Sequence, residues 1–163
     1  MSTFDGVFAC ITQTCEKDVT PGASVACGVA GAGTTPNKYA RCFDLSVELP
    51  NLVGSLEIHS VKWGIEQMEH FAGTVGAIPI NINVYTDSTG CPPDLLSLTL
   101  VASASLTVDD ADAGSVFITP VLDAVGGQAI VPAGSTLVVE IEAPLDGTPL
   151  EPIEYAFRPR VNS

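Results

Sequence analysis

The chain has 163 residues and a net charge of −13, from nineteen acidic and six basic side chains. This charge argues against nucleic acid as a partner, because nucleic-acid binding needs a basic surface that displaces counterions. Hydrophobic residues make up 46% of the chain and charged residues only 15%, below the usual quarter. Thr, Ser, Asn and Gly take the places that Lys and Glu fill on exposed helices, so the composition favours an all-β domain.

The chain opens with MSTFD, which has neither a basic n-region nor an apolar h-region. No leader is predicted from this opening, and removal of one upstream stays open. No stretch approaches the roughly eighteen uninterrupted apolar residues of a transmembrane helix. We therefore expect no membrane insertion.

The chain has five cysteines, an odd number, so they cannot all be paired in internal disulfides. They are Cys10, Cys15, Cys27, Cys42 and Cys91. The spacing of the first four could hold zinc, although neither a CxxC pair nor a nearby His accompanies them. One or two disulfides, or buried reduced thiols, are the other interpretations.

Alternation of apolar and polar residues is the strongest signal in the sequence. In residues 78–85, IPININVY, the apolar side chains at 78, 80, 82 and 84 share one face. The even-numbered residues of 98–108 are predicted to face the core in the same way. In residues 137–142 the apolar positions alternate with Glu140 and Glu142. A period of two is that of a half-buried strand.

Further strands are predicted at residues 7–12, 24–27, 38–46, 56–67 and 115–122. In 56–67 the inward set changes from Leu56 and Ile58 to Val61, Trp63 and Ile65. A shift of one residue within a strand is typical of a β-bulge. Turn residues separate the strands at 20–22, 86–90, 126–127 and 131–135.

About eight or nine short strands with turns between them predict a two-sheet antiparallel β-sandwich, a jelly roll or a related Greek key. Residues 21–143 form the predicted sandwich. Residues 1–20 are predicted to be an N-terminal arm or edge strand. Residues 144–163 are predicted to be a Pro-rich C-terminal arm, which a neighbouring molecule would order.

The stretch EQMEH at 66–70 carries two carboxylates and an imidazole, but not the two His residues, four apart, of a metalloprotease helix. Trp63 and Ile65 are predicted to be core residues, so Glu66 marks the polar end of a strand that leads into a loop. An enzyme would need His59, His70 and acidic residues to converge in one cleft. Nucleophile and phosphate-binding signatures are absent from the sequence, so no catalytic residue and no cofactor is predicted.

The acidic segment at 109–114, DDADAG, resembles the start of a calcium loop, in which alternate acids supply oxygens. The closing Glu of such a loop is missing. We interpret the segment as an acidic hairpin turn, with Asp109, Asp110 and Asp112 as the calcium alternative.

Aromatic and basic side chains supply the predicted partner-binding residues. Trp63 falls in phase with the core, whereas Tyr39 and Tyr85 are predicted to be exposed and able to stack on a sugar. The full set of partner-binding candidates is Tyr39, Tyr85, Tyr155, Phe157, Arg158 and Arg160.

Several stretches in order carry a family resemblance: NKYARCFDL at 37–45, VKWGIE at 61–66, ININVYT at 80–86 with GCPP at 90–93, SASLTV at 103–108 and VPAGSTLVVE at 131–140. The series resembles a β-sandwich module attached to secreted and cell-surface bacterial proteins, over roughly residues 20–143. The resemblance implies no catalytic residue, because that module carries none.

Two departures from that module shape the functional hypothesis. The module continues into a further strand and a late Cys, whereas this chain turns into a Pro-rich segment and a short basic end. It also stands alone from Met1, a format similar to the capsid decoration (cement) proteins of tailed phages. The leading hypothesis is therefore an oligomeric virion protein that clamps capsid subunits. The alternative is an extracellular binding module for a glycan or a cell-surface ligand.

Overall fold

A computed structural model describes residues 37–67, 77–94, 96–112, 114–143 and 158–160. Strands dominate these ranges, which confirms the all-β class. In chain order they are β1 (Asn37–Asp44), β2 (Ser55–Ile58), β3 (Ser60–Gln67), β4 (Ile78–Asp87), β5 (Thr99–Val108), β6 (Val116–Pro120), β7 (Ala129–Pro132), β8 (Thr136–Ala143) and β9 (Arg158–Arg160). A short helix α1 (Leu45–Glu48) follows β1, and a 3₁₀ turn (Asp110–Asp112) follows β5.

The strands form three antiparallel sheets. One has four strands in the order β1-β8-β4-β5, one contains β2 and β7, and one has the order β6-β3-β9. The pairings β1–β8, β2–β7, β3–β6 and β4–β5 are nested one inside another along the chain. The first four strands therefore pair, in reverse order, with the four strands that follow β4. The additional pairing of β8 with β4 completes the four-stranded sheet.

A single hydrophobic core collects side chains from all three sheets. In β4 the residues Ile78, Ile80, Ile82 and Val84 are buried, as the alternation predicted. Opposite them, Val61, Trp63 and Ile65 come from β3, and Ala129 and Val131 come from β7. The large sheet and the two smaller sheets thus bury their apolar faces in one shared interior.

Trp63 is fully buried, as its phase predicted. Its ring stacks on Phe117 of β6, with 4.8 Å between ring centroids and an interplanar angle of 20°. Its indole N–H donates to Thr119 Oγ1 at 2.9 Å. Because a buried donor without a partner is costly, Thr119 lets the largest side chain of the core keep its polar atom inside.

The predicted β-bulge between Ile58 and Val61 is wrong. The strand is interrupted at His59, and β2 pairs with β7 whereas β3 pairs with β6. The change of phase between Ile58 and Val61 therefore marks a passage between two sheets. At the junction, the Val121 N–H donates to the His59 C=O at 3.2 Å. The chain from β6 to β7 therefore stays beside the chain from β2 to β3 where the latter passes between the sheets.

A bulge does occur elsewhere, in the pairing of β4 with β5. Val84 faces Ala102 while Tyr85 faces Leu100, which leaves Val101 as the additional residue. Ala102 and Val108 are buried as predicted, but Leu100 is 54% exposed. The inward prediction for Leu100 is wrong because the extra residue reverses the phase at that end of β5.

Two elements escaped the sequence interpretation. The helix α1 begins where the Asp44 side chain accepts a hydrogen bond from the Ser46 N–H at 2.9 Å, an N-cap that also lowers the pKa of Asp44, chiefly through the Ser46 hydroxyl. Strand β7 was not predicted, and its last two residues fall in the segment 131–135 that the sequence analysis interprets as a turn. The turn itself is limited to the residues after Pro132, where Gly134 has φ +76°, a conformation that favours glycine.

Some predicted segments lie outside the described residues. They are the strands at 7–12 and 24–27, the arm at 1–20, and residues 144–157 and 161–163 of the C-terminal arm. Within that arm, β9 pairs antiparallel with β3, with an irregularity between Ile65 and Gln67.

A disulfide joins Cys42 in β1 to Cys91 in the loop after β4, across a sequence separation of 49. The zinc alternative is wrong for Cys42, since a sulfur in a disulfide cannot serve as a thiolate ligand. Cys10, Cys15 and Cys27 lie outside the described residues. The bond anchors the loop that follows β4 onto the neighbouring edge of the large sheet.

Replacing both Cys42 and Cys91 by Ser is expected to lower the free energy of unfolding by about 2–4 kcal/mol, because the crosslink restricts the unfolded chain over a long loop. Urea unfolding followed by circular dichroism measures the difference. Equal stability of the two proteins, or peptide mapping that finds Cys42 bound to another cysteine, would contradict the assignment.

Candidate interaction face

The outward side of the four-stranded sheet carries a continuous set of polar side chains. We call it the polar face and define it by Lys38, Asn81, Asn83, Tyr85, Ser105, Glu140 and Glu142. These residues alternate with the core residues of the same strands. The alternation that fills the interior with Ile and Val therefore also places this set on the other side of the sheet.

One row of the polar face crosses all four strands. Strand register aligns Lys38, Glu142, Asn81 and Ser105 in that order. Lys38 Nζ lies 2.9 Å from Glu142 Oε1, and Asn81 Nδ2 lies 3.5 Å from Glu142 Oε2. The Ser105 hydroxyl donates to Asn81 Oδ1 at 2.8 Å. Cross-strand pairs of this kind hold side chains in defined positions on a sheet.

The next row is centred on Glu140. Its Oε1 accepts hydrogen bonds from Asn83 Nδ2 and from the Tyr85 hydroxyl, each at 3.0 Å. Lys38 Nζ lies 3.7 Å from the same oxygen. The side chains of Glu140 and Glu142 are only 12% and 20% exposed, whereas that of Lys38 is 54% exposed. The two carboxylates, which are mostly buried, thus share the ammonium group of Lys38, which is more exposed than they are.

The electrostatics of the polar face shift the pKa of two groups. The hydrogen bond to Glu142 raises the pKa of Lys38 above its ordinary 10.5, and the charge of Glu140 adds to that effect. Burial raises the pKa of Tyr85, and the adjacent Glu140 carboxylate raises it further. Lys38 therefore stays cationic and Tyr85 stays neutral under ordinary conditions, so the network keeps one set of hydrogen bonds.

Apolar groups border the polar face on the side of the disulfide. Register aligns Cys42, Val138, Tyr85 and Leu100 as the third row. Val138 is fully buried, although it faces away from the main core. The half-buried ring of Tyr85 is thus followed by the exposed Leu100, at the end of a surface that is otherwise polar.

Asp87 organises the loop that follows β4. Its carboxylate accepts hydrogen bonds from the Thr89 N–H and hydroxyl, the Asp94 N–H and the Ser97 hydroxyl. These bonds, above all that from the Thr89 hydroxyl, lower the pKa of Asp87 to about 2. The carboxylate and the Cys42–Cys91 disulfide together hold the loop beside the polar face.

The four-stranded sheet places the two tyrosines that were predicted to be exposed on opposite sides. Tyr85 lies on the polar face, but Tyr39 pairs with Ile141 and packs half-buried against the core. The expectation of an exposed Tyr39 is wrong because its register partner Ile141 belongs to the core, and register partners lie on the same face of a sheet. Arg158 and Arg160 lie in β9, while Tyr155 and Phe157 lie outside the described residues.

The histidine and acidic segments do not form a metal-binding cluster in the described part of the chain. His59 is exposed, with Nε2 3.6 Å from Glu57 Oε1 and Nδ1 3.3 Å from Gln128 Nε2. Glu66 belongs to β3, and His70 lies outside the described residues. Among residues that the structure describes, no three His, Cys, Asp or Glu side chains group as a metal site would need.

The acidic segment at 109–114 is not the hairpin turn that the sequence suggested, because it leads from β5 in the large sheet to β6 in another. Asp109 Oδ1 accepts a hydrogen bond from the Ala111 N–H, and Asp112 Oδ2 accepts one from the Asp109 N–H, both at 2.8 Å. These carboxylates act on the backbone of the turn itself. Asp110 lies within the 3₁₀ turn.

Comparison of the chain with protein-family models, with curated proteins and with solved structures finds no match in any of the three. None of the helices in the described ranges has the length and apolar character to cross a membrane.

Replacing Asp87 by Asn tests the loop anchor through its pH dependence. The folded pKa of Asp87 lies below its ordinary 3.8, so the carboxylate stabilises the fold above that pH and this contribution is lost as pH falls to about 2. The difference in unfolding free energy between wild type and the variant should shrink from about pH 5 to about pH 2. Urea unfolding over this range measures it, with Glu48→Gln as the control. A constant difference would count against the anchor.

Proposed function

We propose that the chain is a non-enzymatic interaction protein built as a two-layer β-sandwich of the jelly-roll or Greek-key kind. The nested strand pairs support this architecture, because a long antiparallel ribbon folded onto itself produces such pairs. The shared core supports it too, since the four-stranded sheet packs its apolar side toward the smaller sheets.

The polar face is the proposed binding surface, and its partner is a protein that presents basic groups. One observation carries this: Lys38 is the only ammonium beside the carboxylates of Glu140 and Glu142 among the residues that form the face. A basic group from a partner would complete the charge balance. The net charge of −13 would guide such a partner toward the chain.

The particular setting that we propose is the virion, where the chain would be a decoration (cement) protein bound to assembled capsid subunits. A rigid face held by cross-strand hydrogen bonds suits a repeated surface, because little ordering remains to be done on binding. Binding to the assembled shell alone would stabilise that state by mass action. The Cys42–Cys91 disulfide is compatible with a protein that functions outside a reducing cytosol.

An extracellular glycan-binding module is the second candidate. The observation in its favour is Tyr85, whose half-buried ring lies beside Asn81 and Asn83 on an accessible sheet. An aromatic ring offers a stacking surface, and amides can donate and accept hydrogen bonds to hydroxyl groups.

Co-sedimentation with the capsid particles of the source culture tests the leading proposal. The double variant Glu140→Gln/Glu142→Gln removes both charges from the polar face and keeps the shape of the side chains. We expect it to bind at least tenfold more weakly than wild type at low salt, an effect of about 1.4 kcal/mol, with a smaller difference at high salt.

Glu48→Gln is the matched control, since this exposed glutamate of α1 lies outside the polar face. Equal binding of wild type and the double variant would contradict the assigned surface. Absence of any particle association, together with retention on a polysaccharide that Tyr85→Ala abolishes, would favour the glycan module instead.

A further inference from the structure

The outer edge of β5 differs from the other strand edges that the structure describes. The edge strands of the three sheets are β1, β2, β5, β6, β7 and β9. Each of them except β5 contains a charged residue or a proline, and such residues hinder the addition of a further strand. The sequence of β5 is TLVASASLTV, which has neither. Among the described strands, β5 is therefore the edge that lacks this protection.

One end of this edge is covered by the chain that follows β6. The Ser103 N–H donates to the Leu122 C=O at 2.9 Å, and the Leu122 N–H donates to the Ser103 C=O at 3.2 Å. Beyond its bulge, β5 pairs with β4 in a regular register. Because the backbone groups of alternate residues point to the same side of a strand, those of Ser105 and Thr107 point away from β4, as those of Ser103 do. We call residues 104–108 the open edge, since no other described strand pairs with them.

We propose that the open edge pairs with the open edge of a second copy of this chain, antiparallel about a twofold axis at Leu106. In this register Ser105 of each copy lies opposite Thr107 of the other, and each such pair exchanges two backbone hydrogen bonds. Four bonds thus satisfy the outward amide and carbonyl groups of both residues in both copies. An isologous interface requires a surface that is complementary to itself, and this stretch has that property.

The side chains on both sides of the open edge suit this pairing. Leu106 is half-buried at the margin of the core, and it meets its own copy at a closely spaced position that extends the apolar layer across the axis. On the other side, Ser105 and Thr107 are exposed and form small polar cross-strand pairs. The two four-stranded sheets become one sheet of eight strands, with both polar faces on the same side.

The two ends of the open edge favour a second copy over an extended segment of another protein. At one end Leu122 occupies the edge beside Ser103. At the other end β5 stops, and Asp109 leads into the 3₁₀ turn. The twofold axis sets Ser103 of one copy against Asp109 of the other, so the covered end meets the place where the second strand has already turned away. A foreign segment would have to end at that same place to avoid Leu122.

The charges of the two copies stay apart in this arrangement. A chain with a net charge of −13 repels its own copies over most of its surface, but β5 carries no charge. The carboxylates of Glu140 and Glu142 belong to β8, two strands away from β5. The β8 strands of the two copies would be five strand spacings apart, about 24 Å, which exceeds the screening length of about 8 Å at physiological ionic strength.

Sedimentation velocity of the full chain across a range of protein concentrations tests the pairing. Wild type should form a dimer. Thr107→Pro removes an N–H that points to solvent within one copy but donates across the axis in the dimer, once on each side. The dissociation constant should therefore rise at least about tenfold. Thr107→Val is the matched control, because it keeps the N–H and the shape of the side chain, and it should dimerise as wild type does. Circular dichroism verifies that each variant is folded.

Amide hydrogen exchange measured by NMR provides a second test, which needs no variant. The N–H groups of Ser105 and Thr107 should exchange more slowly when wild type is dimeric than when it is diluted to monomer. Those of Ala104 and Leu106 point toward β4 and should change little. A wild type that stays monomeric, a dimer that folded Thr107→Pro does not weaken, or unchanged exchange at Ser105 and Thr107 on dimerisation would overturn the proposal. No capsid or glycan enters these experiments, so their outcome is separate from that of the proposed function.

Discussion

The two-sided alternation of β4 is the constraint on which the rest of the structure depends. Its even-numbered residues from Ile78 to Val84 build the core, while Asn81, Asn83 and Tyr85 reach the carboxylates of β8 on the other side. A slip of one residue in its pairing would exchange these sets, placing amides in the core and isoleucines in water. The register of β4 therefore determines the interior and the polar face together.

The neighbouring elements make each side of β4 complete. On the inner side, Trp63 fills the space between the sheets and keeps its N–H bonded to Thr119. On the outer side, Lys38 reaches across from β1 to both glutamates. At the end of β4, Asp87 and the disulfide fix the following loop. A surface supported in this way can keep its shape when a partner binds, which limits the entropy lost on association.

The sequence predicted what depends on local alternation and missed what depends on pairing. The strands around Ile80, Ala104 and Ile141 and the burial of Trp63 follow from a period of two. In the sequence, the break at His59 looks like a β-bulge, because both shift the alternation of inward and outward residues by one position. The exposure of Leu100 and the position of Tyr39 depend on register with other strands. The rows of the polar face were unpredictable for that reason: their members come from positions far apart in the chain.

Chemical labelling of lysines on the native protein would test most directly whether the polar face is a binding surface. Lys38 is 54% exposed in the isolated chain, so an amine-reactive reagent should modify it at alkaline pH, where part of the ammonium loses its proton. When the protein is bound to its partner particle, Lys38 should be protected from the reagent. Equal modification of Lys38 in the free and bound protein would contradict the assignment of this face.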